Sequence, residues 1–195
     1  MAKIESFEKY ANLYDEWFDK HNSIYDDELK TIKKLVENHI NGLDIGCGSG
    51  RFAIPLNIKT GVEPSKQMRE LAKEKGLEVF DNSAEQLQFK NEAFDFAIMI
   101  TTICFLDNPL KALKEANRVI KKGGFLIIGF IDKDSIVGKK YHSTKKDSKF
   151  YNDATFYSAN EVIALSKSAN FSYSESIGVE STENSFLFMK FFCNS

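Results

Sequence analysis

Residues 42 to 50 read Gly-Leu-Asp-Ile-Gly-Cys-Gly-Ser-Gly, and no other stretch restricts the fold of this 195-residue chain as tightly. A short apolar run leads into three alternate glycines, Gly46, Gly48 and Gly50. Glycine has no Cβ and accepts positive φ, so the chain here can double back and present bare N–H groups to a ligand. A strand feeding such a turn, at the head of alternating strand and helix signals, predicts an α/β fold. The sheet is doubly wound and mostly parallel, with an antiparallel end, and its ligand sits beyond the carboxyl ends of the strands.

The residues around the glycines discriminate among ligands. A phosphate loop continues as Gly-Lys-Ser or Gly-Lys-Thr, whereas Arg51 and Phe52 follow Gly50. A dinucleotide fingerprint has a third glycine where Arg51 stands. Asp44 would repel a pyrophosphate but suits a ligand carrying an ammonium and a sulfonium. Leu43 to Gly50 resembles the first motif of the class I S-adenosylmethionine-dependent methyltransferases. Set against that are two other classes, a nicotinamide- or flavin-dependent oxidoreductase and a non-catalytic S-adenosylmethionine-binding protein. A purely structural strand-to-helix turn is the remaining option.

Composition sets outer bounds. The net charge is -2, so no global basic field exists to hold nucleic acid. Three cysteines imply no disulfide framework, and no metal-ligand set is evident. The charged start and the short apolar runs predict neither a signal peptide nor a membrane span, hence a cytoplasmic protein. Residues 1–195 read as one domain: N-terminal helices over 1–40, a cofactor-binding half over 41–132, and a substrate-side insertion with C-terminal strands over 133–195.

Phe7, Tyr10, Tyr14, Trp17 and Phe18 are spaced by threes and fours, which predicts one aromatic helical face over 3–20. That face is either ordinary core or a lid over cofactor and substrate. A second helix is expected over 26–38, with Asp26, Asp27 and Glu28 favouring its N-terminus. After strand 42–45 a short helix is interrupted by Pro55, and a second strand runs over 58–63. Glu63 closes that strand 19 residues beyond Asp44, where an acidic side chain grips a ribose diol. Ser65 caps a helix over 66–75, on which Met68 is either core or an adenine contact. Strands follow over 77–80 and 94–101. A helix begins at the Asn108-Pro109 pair and ends near Lys121, Lys122 and Gly123, ahead of a strand over 125–131.

Residues 132–157 interrupt the alternation. They interleave Lys139, Lys140, His142, Lys145, Lys146 and Lys149 with Tyr141, Phe150 and Tyr151. The segment reads as a solvated loop, as a single-strand nucleic-acid patch, or as an insertion that builds a substrate pocket. Ser158 to Glu161 form a capping box that opens a helix to about Ala169. Alternating strands close the chain over 171–178 and 185–192.

The resemblance extends over most of residues 40–170. Asp81 to Phe89 is similar to the family's third motif, with Ser83 in place of its adenine-binding aspartate and Asp81 as the substitute acceptor. The whole looks closest to small, stand-alone prokaryotic members of methyltransferase type 11, which act on diffusible substrates. It implies a Rossmann-like seven-stranded sheet with an antiparallel edge strand, to which the aromatic N-terminal segment would add a helical lid. It implies S-adenosylmethionine as cofactor, with S-adenosylhomocysteine as product. The cofactor would lie against Asp44, Gly46, Cys47, Gly48, Gly50, Glu63, Pro64, Met68, Ser83, Ala84, Glu85 and Thr101. The methyl group would pass to a small molecule by direct displacement, a reaction that needs a base only if the acceptor arrives protonated. Tyr14 and His142 are the candidate bases, followed by Tyr141 and Tyr151. Neither nucleic acid nor a membrane is an expected partner, and the chain is expected to be a monomer or homodimer.

Overall fold

The computed structural model describes residues 3–36 and 41–194. Its centre is β1 (Gly42–Ile45), buried along its whole length, beside β4 (Phe94–Ile100). A continuous apolar run such as Phe-Ala-Ile-Met-Ile in β4 is what a strand covered on both faces requires. The other strands are β2 (Thr60–Val62), β3 (Glu78–Phe80), β5 (Ile120–Ile131), β6 (Phe171–Gly178) and β7 (Phe186–Cys193). They form one seven-stranded sheet in the order β3-β2-β1-β4-β5-β7-β6. The chain steps outward from β1 to β3, then returns to place β4 on the other flank of β1. Such a reversal opens a crevice at the carboxyl ends of β1 and β4. Strands β1 to β5 are parallel, and β7 runs against both β5 and β6 at the far end of the sheet.

Alternation along β5 feeds two apolar layers. Leu126 and Ile128 join Leu43 under α5 (Pro109–Val119) and α7 (Ala159–Ser168). Phe125 and Ile127 join Ile98 and Phe188 on the opposite face, packed by Ile32 and Leu35 of α3 (Asn22–Val36) and by Phe18. The expected caps are formed. Ser65 Oγ accepts the Met68 N–H at the head of α4 (Lys66–Glu74), and Asn108 Oδ1 accepts the Lys111 N–H at the head of α5. Ser158 and Glu161 exchange the two bonds of a capping box.

Several boundaries differ from the expectations. The N-terminal aromatic segment is two helices, α1 (Glu5–Lys9) and α2 (Ala11–Lys20), broken at Tyr10. α3 begins at Asn22, so Glu28 lies within the helix rather than at its start. The expected end of that helix at Asn38 lies outside the described residues. Residues 47–57 form turns instead of a short helix. α5 stops at Val119 because Ile120 already pairs with Phe94 across a register shift, and Lys121 pairs with Asp95 at 2.7 Å rather than capping a helix. The 132–157 segment, for which a solvated loop was one reading, contains α6 (Ile136–Thr144), capped by Ser135. Among the described residues no helix is long and apolar enough to cross a membrane.

Candidate active site

The glycine turn sits at the crevice between β1 and β4. Gly46, Gly48 and Gly50 all have positive φ. At Gly46 the demand is strictest: φ is +73°, and a Cβ would come within 2.5 Å of Thr102 Oγ1 and Cγ2. The Gly46 and Cys47 N–H groups donate to the Val62 carbonyl, which ties the turn to the end of β2.

Glu63 organises this cleft. Its Oε2 accepts the Gly48 N–H at 3.0 Å and its Oε1 accepts the Ser65 N–H at 2.8 Å. Burial pushes the carboxyl up to about 7, even though both N–H groups favour the charged form. Asp44, only 2% exposed, lies beneath the turn rather than on its wall. Burial, helped by the neighbouring Glu63 charge, pushes Asp44 to about 8, against a backbone hydrogen bond from Ala53. Asp44 is tied to the turn through its bond from Ala53 and is not part of the cleft wall.

The cleft wall brings together most of the expected residues: Gly46, Gly48, Glu63, Pro64, Met68, Ala84, Glu85 and Thr101. Glu85 also accepts the Asp107 and Asn108 N–H groups ahead of α5. Thr101 has a φ of +54°, a strained conformation for a β-branched residue that concentrates at functional sites. Asp44, Cys47, Gly50 and Ser83 are the four expected cofactor residues outside the wall. The Cys47 side chain turns into the apolar layer under α3, and Gly50 shapes the turn from outside the wall. Ser83 and its substitute Asp81 do not line the cleft, since Asp81 pairs with Arg69 at 2.8 Å. His142 is exposed on α6 and lines neither the cleft nor the cavity beside it.

The N-terminal helices cover the cleft with Ile4, Phe7 and Tyr14. Phe7 stands edge-on to Tyr14 and Phe105, and Tyr14 to Phe18. Trp17 departs from the expected face: it is 37% exposed and stacks on His21 at 4.5 Å. A polar latch holds α2 to the turn. Asp15 accepts from Arg51 Nε at 2.7 Å, from Lys75 Nζ at 2.6 Å and from the Ser49 hydroxyl, while Asp19 pairs with Arg51 at 2.7 Å. Burial opposes ionisation of Asp15, but these hydrogen bonds outweigh it and hold the carboxyl at about 2.

A second cavity, of about 390 Å³, lies beside the first, and Tyr14 and Thr101 line both. The aromatic residues of the 132–157 segment turn into it, as Tyr141, Phe150 and Tyr151, while Lys139, Lys140, Lys146 and Lys149 stay exposed. Glu28 also lines it and was missed in the sequence. The signal was present: Glu28 precedes Ile32 by four residues and Leu35 by seven, so it falls within the apolar stripe of its helix.

A family model described as a methyltransferase domain matches residues 43–128. A crystal structure of an S-adenosylmethionine-dependent methyltransferase from Thermotoga maritima, described as a possible histamine N-methyltransferase, is 39% identical. It superposes with a TM-score of 0.89 over 97% of this chain and 99% of that one. An uncharacterised protein of Methanocaldococcus jannaschii is 48% identical over 85% of this chain and 80% of its own length. A demethylmenaquinone methyltransferase of Staphylococcus aureus is 31% identical, over 47% of this chain and 43% of that protein.

Proposed function

The chain belongs to the S-adenosylmethionine-dependent methyltransferases, and from that premise we propose that it methylates a small diffusible acceptor by direct displacement. It is an enzyme, and its cofactor is S-adenosylmethionine. The observation that carries the choice of acceptor is the 390 Å³ cavity. It shares Tyr14 and Thr101 with the cofactor cleft, and its size lies within the range of about 300–1,000 Å³ common for small-molecule pockets. Two similar proteins carry small acceptors in their descriptions, histamine and demethylmenaquinone.

The cleft residues fit the cofactor chemically. Glu63 retains lone pairs beyond its two backbone bonds, enough to accept from two ribose hydroxyls. Gly48 leaves open space where any side chain would intrude. Met68 and Leu106 supply apolar contact for a flat base, beside Ala84. S-adenosylmethionine, when bound, supplies a methyl group on a sulfonium with a good leaving group. The protein's work is then alignment and exclusion of water, the role we assign to the aromatic cover of α1 and α2. The cleft's free volume is about 80 Å³, under the usual pocket range, so in this reading the N-terminal cover of Ile4, Phe7 and Tyr14 shifts to admit the cofactor.

Calorimetric titration tests the cofactor half of this reading: S-adenosylhomocysteine binds and NAD does not, and the reverse refutes it. Incubation of methyl-labelled S-adenosylmethionine with a cell extract tests the acceptor. Label is expected in the low-mass fraction, and label confined to protein or nucleic acid overturns the small-molecule reading.

A further inference from the structure

The inference deepens the methyltransferase reading and rests on it. Glu28 is 6% exposed, yet it lines the cavity beside the cofactor cleft. Among the described residues no hydrogen bond or ion pair holds its carboxyl, and no Lys, Arg or His lines that cavity. A buried carboxyl with no counter-charge is costly and rare unless something else pairs with it. Helix stability offers no reason for it, since Ile32 and Leu35 continue the same stripe as ordinary core. The surrounding wall is aromatic, through Trp17, Phe18, Tyr141, Phe150 and Tyr151. Aromatic faces attract cations, and a carboxylate excludes anions.

We propose that this cavity holds an amine acceptor, with its ammonium paired to Glu28 and its carbon frame against the aromatic wall. Glu28 then takes the proton that frees the nitrogen lone pair. That lone pair forms the new N–C bond as the C–S bond breaks, and the breaking bond's electron pair stays on sulfur. The positive charge moves from the sulfonium to the methylated nitrogen, and the proton remains on Glu28 until product leaves. Burial, with the nearby Asp27 charge, pushes Glu28 up to about 8, so its carboxyl can accept a proton from an ammonium near neutral pH.

The test uses the full chain saturated with S-adenosylhomocysteine. Calorimetry compares an amine, the matching alcohol and the matching carboxylic acid on three frames: butyl, phenylethyl and indolylethyl. On at least one frame the amine should bind at least ten-fold more tightly than the alcohol, and the acid more weakly still. Glu28→Gln should reduce the amine's advantage to within two-fold and leave S-adenosylhomocysteine binding unchanged. Repeating the amine titration at pH 7 in buffers of different ionisation heat should show proton release, because the arriving ammonium ionises Glu28. The other titratable groups facing Glu28 do not obscure this. Burial holds Tyr14, Tyr25 and Tyr151 protonated, and Asp27 is held below the usual range by its bonds to Ser181. Equal binding of amine and alcohol on every frame, no binding by any amine, or an amine advantage that survives in the Gln variant overturns the proposal. If the Gln variant fails to fold, the isostere comparison and proton release decide. Failure to bind S-adenosylhomocysteine would instead overturn the methyltransferase reading.

Discussion

With Glu63 holding the ribose as proposed, cofactor affinity should depend on pH. Burial pushes the Glu63 carboxyl up to about 7 in the free protein. A ribose diol donates two hydrogen bonds, which the ionised form accepts and the protonated form accepts poorly. Binding therefore draws on the ionised fraction alone, and apparent affinity scales with that fraction. With an apparent pKa of about 7, the fraction is roughly nine-tenths at pH 8 and one-tenth at pH 6. Affinity for S-adenosylhomocysteine should thus fall about ten-fold between pH 8 and pH 6. Asp44 shares the buried region, so the step belongs to the pair. Glu63 ionises first because it faces the cleft and holds two N–H donors. The sign for stability is opposite. A carboxyl raised above its unfolded value stabilises the free protein at low pH, and that contribution is lost as pH rises through 7. Glu63→Gln removes the titration. Its amide has one oxygen, which Gly48 and Ser65 must share in place of two, so the ribose hydroxyls lose a charged acceptor worth about 1–3 kcal/mol. The variant should bind about 10–100-fold more weakly at pH 8 and approach wild type at pH 6. Calorimetry from pH 6 to 8 on both proteins decides the matter. A flat wild-type profile, or an equal slope in the variant, refutes the argument.

Two further outcomes test the turn and its latch. Gly46→Ala combines left-handed strain of roughly 1–2 kcal/mol with a Cβ 2.5 Å from Thr102. Its urea midpoint should fall and S-adenosylhomocysteine binding should be lost; a wild-type midpoint contradicts the geometry. Asp15→Asn removes the charge that Arg51, Lys75 and Ser49 address, so amides of residues 5–20 should exchange faster while those of β1 and β4 stay protected. Unchanged protection over 5–20 shows that apolar packing alone holds these helices. Because Asp15 titrates at about 2, below its ordinary value, the latch is fully present above about pH 4 and is lost as pH falls through 2.

The glycine turn, the strand succession and Glu63 were legible because each rests on a local rule. Positive φ selects glycine, continuous apolar runs select buried parallel strands, and strand spacing places the acid. What escaped the sequence depended on partners distant in the chain. Lys121, Lys122 and Gly123 look like a helix end, yet Ile120 pairs with Phe94 and makes them strand. Ser83 matches a motif position, but the wall is built from its neighbours Ala84 and Glu85. The break between α2 and α3 is a single residue, His21, with no glycine or proline to mark it. Reading that break as the wider gap 21–25 moved the expected helix start to Asp26 and made Glu28 look like a dipole partner.

Arg51 shows how one position serves two ends. A dinucleotide fold has glycine there so that the helix can pack closely on the strand. Here the guanidinium reaches back to Asp15 and Asp19 at 2.7 Å. A free arginine beside a glycine turn would attract phosphate, but two carboxylates occupy this one, and Asp44 lies buried under the turn. The substitution that disfavours a dinucleotide is therefore also the anchor of α2. Because α2 carries Tyr14, the wall between the cofactor cleft and the acceptor cavity is positioned by the same charge pairing that fixes the turn. A change at Arg51 should consequently reach both cavities, through the helix rather than through contact with either ligand.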